Sequence, residues 1–198
     1  MTIQSRLGLI LAAILLIPVY FTPIWSITMK APQYPDGLGM YIWVDDITGH
    51  SRHDLQNINI LNHYIGMQEI HPEEVPELRI IPWVFAGLIA LAVVVALTGK
   101  LWLAWVWLIL FILAGIGGMV DFYLWGYDYG HNLNPKAAIK VPGMTYQPPL
   151  LGSKTLLNIT ASSWPYWGSL WVGLSMFAGA GSVWWEKRSR KSRDNRSS

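Results

Sequence analysis

The stretch 80–97, IIPWVFAGLIALAVVVAL, is followed by TGK at 98–100 and then by LWLAWVWLILFILAGIGGMV at 101–120. Neither long stretch contains a charge, and each matches the roughly twenty apolar residues that a helix needs to cross the hydrocarbon of a bilayer. Three residues between them allow only a tight turn, so the pair is an antiparallel helical hairpin.

Two further apolar runs extend this pattern, Leu7 to Ile24 and Trp164 to Trp185, the second bracketed by Trp164, Trp167, Trp184 and Trp185. The composition agrees: of 198 residues, 53% are apolar and only 13% charged, a balance that belongs to membrane proteins. Twelve tryptophans and nine tyrosines suit the lipid–water boundary. The expectation is an all-α membrane protein with four transmembrane helices and two long extracytoplasmic loops forming a small mixed α/β cap. Its segments are 1–6, the span 7–24, the loop 25–79, the span 80–97, the turn 98–100, the span 101–120, the loop 121–163, the span 164–185 and the tail 186–198.

Orientation comes from the basic residues. Arg6, Lys100, Lys187, Arg188, Arg190, Lys191, Arg193 and Arg196 fall on one side of a four-span arrangement, which places both termini in the cytoplasm of a bacterial inner membrane. Lys30, Arg52, Arg79, Lys136, Lys140 and Lys154 are spread thinly over the loops. The tail is expected to be disordered and to touch anionic headgroups. Arg6 before an apolar run also resembles a signal peptide, but Trp25-Ser26-Ile27-Thr28 lacks the small-residue pattern of a cleavage site.

The chain has no cysteine, which excludes disulfides, thiolate metal sites and cysteine nucleophiles together. No ionisable group lies inside the spans, Asp121 standing at the outer end of the third, so a transport pathway through one chain is not expected. Small residues four apart, Ala114 with Gly118, Ser169 with Gly173 and Ser175 with Gly179, suit close helix packing within the bundle or against a membrane partner. Neither a phosphate-binding glycine loop nor a zinc-protease helix nor a nucleophile elbow is present, and the few basic residues do not suggest nucleic acid. The chain is therefore not expected to be an enzyme.

All five histidines and ten of the twelve acidic residues lie in the two loops, so function is expected there. In the first loop, Pro35-Asp36-Gly37 signals a turn and Leu38 to Val44 a short strand or hairpin. Asp54 reads as the N-cap of a helix reaching Ile65, with Leu55, Ile58, Leu61 and Ile65 on one face. Asn59, His63 and Met67 recur every four residues on that helix, with His71 just beyond; imidazole and thioether together suit copper, especially cuprous copper. His50 and His53 lie nearby, and Glu69, Glu73, Glu74 and Glu77 read as a solvated face.

In the second loop, if the third span continues as helix, Asp121, Asp128 and His131 share a face at relative positions zero, seven and ten. Such a group could hold a divalent metal or relay a proton. The prolines and glycine of 135–149 suggest an extended segment draped over the first loop with no regular element, to whose site Met144 and Tyr146 could contribute.

The stretches Leu61 to Met67, LNHYIGM, and Asp121 to His131, DFYLWGYDYGH, resemble segments of small bacterial membrane proteins associated with the nitrous oxide reductase maturation system. The resemblance implies copper handling outside the cytoplasmic membrane, with His63 and Met67 as ligands and His131 as a weaker one. It also implies a role beside other membrane or periplasmic maturation proteins. The alternative is a structural subunit or assembly scaffold without metal. The lack of cysteine and of repeated Met-x-x-Met departs from dedicated copper chaperones and argues for transient capture.

Overall fold

The computed structural model describes residues 1–139, 143, 145–156 and 158–197, so Met144 lies outside the described residues. Helix α1 spans Ile3–Leu16 and starts at Thr2, whose hydroxyl accepts the Ser5 N–H at 3.3 Å. Pro18, which has no N–H to continue an α-helix, tightens the next turn into a 3-10 helix at Ile17–Phe21. Helices α3 (Glu77–Thr98) and α4 (Leu101–His131) form the hairpin foreseen from sequence. Helix α2 (Asp54–Ile65) lies in the first loop, and α5 is Trp167–Ser197.

Leu9, Ala12 and Leu16 of α1, Leu88, Ala92 and Val95 of α3, Ala104 and Trp107 of α4 and Val183 of α5 form one buried apolar core. At its centre the fully buried Trp107 donates its indole N–H to the Leu88 carbonyl at 2.8 Å. Gly179 of α5 faces that ring so closely that a Cβ there would lie 2.0 Å from it. Only glycine lets α5 approach.

The remaining chain builds a five-stranded antiparallel sheet from β1 (Trp25–Ala31), β2 (Tyr34–Ile42), β3 (Ile47–Gly49), β4 (Gly152–Leu156) and β5 (Ile159–Pro165). The order is β3-β2-β1-β5-β4, so the two loops meet along the β1–β5 pair, with Trp25 opposite Pro165 and Ile27 opposite Ser163. Side chains alternate across a strand. Trp25, Ile27, Leu38, Met40 and Ile47 accordingly form a second core with Ile58 of α2, Ile70 and Leu78, against which Phe122 and Trp125 of α4 pack.

This architecture overturns the all-α, four-span expectation. Among the described residues, three helical segments are long and apolar enough to cross a membrane: Ile3–Phe21, Glu77–Thr98 and Leu101–His131. The stretch expected to be the fourth span differs at both ends. Trp164 and Pro165 belong to β5 rather than to a helix. α5 then dilutes its apolar residues with Gly168, Ser169, Gly173, Ser175, Gly179, Gly181 and Ser182 before turning basic. Its basic end continues as helix, contrary to the disorder expected there. β4 and β5 follow the segment 135–149 that was expected to lack regular structure, and β5 runs past the loop end expected at 163. The third span runs on unbroken to His131 despite Gly126 and Gly130.

Candidate functional site

The strongest constellation lies where α2 ends. Gly66, at φ 85°, takes the left-handed conformation that closes a helix without a Cβ penalty. Its N–H donates to the His63 carbonyl at 3.3 Å and the Met67 N–H to Asn62 at 2.9 Å, so the helix stops before Met67. The four-residue spacing of Asn59, His63 and Met67 therefore does not place all three on one helical face. Asn59 turns to the returning chain instead: its side-chain N–H donates to the Ile70 carbonyl at 3.1 Å and its oxygen accepts the Ile70 N–H at 2.8 Å. That pairing draws the segment 67–71 back along α2.

The result is an open groove of about 760 Å³ lined by residues that include Asn59, His63, Tyr64, Glu69 and His71. Glu69 stands between the two imidazoles. His63 Nδ1 is 3.9 Å from one of its carboxylate oxygens and His71 Nε2 is 3.4 Å from the other. Glu73 lies 3.9 Å from His71 Nδ1. Glu69, Glu73 and Glu74 are exposed, as expected of a solvated face, and Glu69 also lines the groove beside His63. Two imidazoles around one carboxylate can exchange a proton or attract a cation.

Other elements hold the groove in place. The Tyr129 hydroxyl of α4 donates to the Glu69 carbonyl at 2.9 Å. The second loop clasps the end of α2, with the Asn134 N–H donating to Gly66 at 2.7 Å and the Ile139 N–H to Tyr64 at 2.9 Å. A Cβ on Gly66 would meet Ala137 at 2.9 Å, so the clasp is close. Of the segment 135–149 expected to drape over the first loop, Ala137 and Ile139 meet it here, while 140–142 and 144 lie outside the described residues.

Asp121, Asp128 and His131 share α4, yet ten residues of helix separate the outer two by about 15 Å, too far for one ion. His131 stacks on Tyr127 with ring centroids 3.8 Å apart, and its Nδ1 is 2.8 Å from the Tyr127 carbonyl. Asp128 accepts a hydrogen bond from Asn132. Among the described residues, no group of three or more His, Cys, Asp or Glu is placed to hold a metal ion.

A second cluster sits on the sheet's other face. His50 Nε2 is 3.0 Å from the Ser26 hydroxyl, and its ring packs 3.9 Å from that of Tyr41, whose hydroxyl donates to Tyr166 at 3.3 Å. Partial burial pushes His50 below the ordinary imidazole value, against the opposing pulls of the Asp54 carboxylate and the Met40 carbonyl. The hydrogen bond to Tyr166, with some loss of solvent, raises Tyr41. Asp54 is not the N-cap: His53 holds that position, and Asp54 accepts the Gly39 N–H at 3.0 Å, tying α2 to β2. His53 itself is exposed. Tyr146 is buried, and its hydroxyl has no hydrogen-bond partner among the described residues.

In comparisons with known proteins, no family model matches this chain, and no curated protein does.

Proposed function

We propose that this protein is a non-enzymatic accessory protein of a bacterial cytoplasmic membrane whose sheet module lies outside. There it captures copper in transit and presents it to maturation factors of an extracytoplasmic copper enzyme such as nitrous oxide reductase. The observation carrying this reading is the placement of His63 and His71 on either side of Glu69 in an open groove, with Met67 directly after the helix end. Imidazole and thioether accept copper readily, and a partly solvated site without thiolates favours release over storage.

The orientation rests on charge. The Met1 amine donates to the Gly99 carbonyl at 2.7 Å and the Thr2 N–H to Glu186 at 2.5 Å, so Arg6, Lys100 and the basic end of α5 gather at one end of the helices, opposite the sheet. Placing that end in the cytoplasm satisfies the bias of cytoplasmic segments toward Lys and Arg.

The test is copper content of the purified protein under reducing conditions, compared with His63→Ala/Met67→Ala and His71→Ala variants. Copper lost in both variants supports the reading; equal copper in all three overturns it. The second reading is a metal-free structural subunit or assembly scaffold, for which the exposed loop aromatics Tyr64, Tyr123 and Tyr127 would serve as contact surface. Under that reading, partner capture by crosslinking in the membrane survives the same substitutions.

A further inference from the structure

Helix α5 does not stop where its apolar part ends, and in its last turns the side chains divide between two faces. Ser182, Val183 and Glu186 are buried. Glu186 belongs to the contact with the start of α1: its carboxylate accepts the Thr2 N–H at 2.5 Å and the Ser5 hydroxyl at 3.1 Å. Arg190, one turn on, is drawn to the same carboxylate at 3.0 Å. The opposite face carries Trp184, Lys187, Arg188 and Lys191, all exposed. Their relative positions of zero, three, four and seven make one continuous helical stripe. The Arg188 guanidinium lies over the Trp184 ring, 5.4 Å from its centroid.

The depth of this stripe is set by its neighbours. Glu186 is level with Thr2 and Ser5, where the candidate span Ile3–Phe21 begins. Trp184 therefore sits at the edge of the apolar zone, and the three cations occupy the next two turns, covering about 10 Å along the axis from Trp184 to Lys191. Exposed Trp102 and Trp105 of α4 and exposed Lys100, which caps its start, stand near the same end. An indole at the hydrocarbon boundary with ammonium and guanidinium groups just beyond it matches the layering of a lipid whose headgroup carries a phosphate.

We infer that the Trp184, Lys187, Arg188 and Lys191 face of α5 is a binding surface for anionic phospholipid headgroups. Lys187, Arg188 and Lys191 supply the charge; Trp184 fixes the depth and orients Arg188. This surface is independent of the groove that carries the functional proposal, and a failure of either leaves the other standing.

The experiment uses the full chain in neutral detergent, titrated with phosphatidylglycerol or phosphatidylcholine, with bound lipid read by native mass spectrometry. The expected result is preferential phosphatidylglycerol binding, weakened on the order of 100-fold in Lys187→Ala/Arg188→Ala/Lys191→Ala. Binding should be kept in Lys187→Arg/Lys191→Arg and in a control with Lys30, Lys136 and Lys154 changed to alanine. Unchanged phosphatidylglycerol binding in the triple variant, or equal binding of the two lipids by the wild type, overturns the inference. A single-stranded oligonucleotide that displaces phosphatidylglycerol from these residues overturns it as well, reassigning the stripe to polynucleotides.

Discussion

The Asn59 side chain satisfies both backbone polar groups of Ile70, accepting from its N–H at 2.8 Å and donating to its carbonyl at 3.1 Å. The pair acts as a short piece of sheet built by one side chain, and it fixes the wall of the groove that holds Glu69 and His71. Replacing Asn59 with alanine leaves the buried Ile70 backbone unpaired, at a cost of about 1–3 kcal/mol. Amide exchange at Ile70 should accelerate while exchange in β1 stays slow; unchanged exchange at Ile70 would show that the pairing is dispensable.

Glu186 offers a pH test. Burial opposes its ionisation, but hydrogen bonds from the Thr2 N–H, Arg190, Ser5 and the Thr2 side chain outweigh that penalty and hold its carboxyl at about 2. A carboxylate depressed in the folded state stabilises fully above its unfolded value near 4.5, and that stability is lost as pH falls toward 2. The wild type should lose on the order of 3 kcal/mol across this window. Glu186→Gln should start less stable and show a flatter profile there, as read by thermal unfolding in detergent. Parallel profiles would refute the assignment.

Gly179→Ala places a methyl against the Trp107 ring, which is fully buried and anchored to Leu88. Overpacking of this kind costs about 1–3 kcal/mol. Trp107→Leu is itself destabilising, yet in the double variant the second substitution should add little, because the ring that clashes is gone. Additive losses in a double-mutant cycle would mean that the two residues do not meet.

Tyr146→Phe removes a buried hydroxyl that has no partner among the described residues. Its melting temperature should equal or exceed that of the wild type, since a desolvated and unpaired polar group is a cost. A drop of several degrees would reveal a partner for the hydroxyl.

The legible parts of the fold are those written in local pattern. The uncharged runs at 80–97 and 101–120 announce α3 and α4, and the recurrence of Leu55, Ile58, Leu61 and Ile65 marks α2, whose end at Ile65 matches while its cap lies one residue earlier than expected, at His53. β5 is different: Ile-Thr-Ala-Ser-Ser-Trp-Pro has weak strand preference, and it forms because β1 and β4 pair with it on either side. Trp164 then misleads, since a tryptophan at a strand end and one at a membrane boundary look alike in sequence. His63 and Met67 are recognisable in sequence as candidate ligands with His71 just beyond, whereas Glu69 joins the two histidines only through the reversal that Gly66 and Asn59 impose.

The strand order has a consequence for biogenesis. Because β1 is central and its second neighbour is β5, Trp25 waits for Pro165, and the sheet stays incomplete until most of the polypeptide has been synthesised. During that interval β1 offers an open edge to any passing strand, which makes the half-made protein the form most exposed to proteases and mispairing.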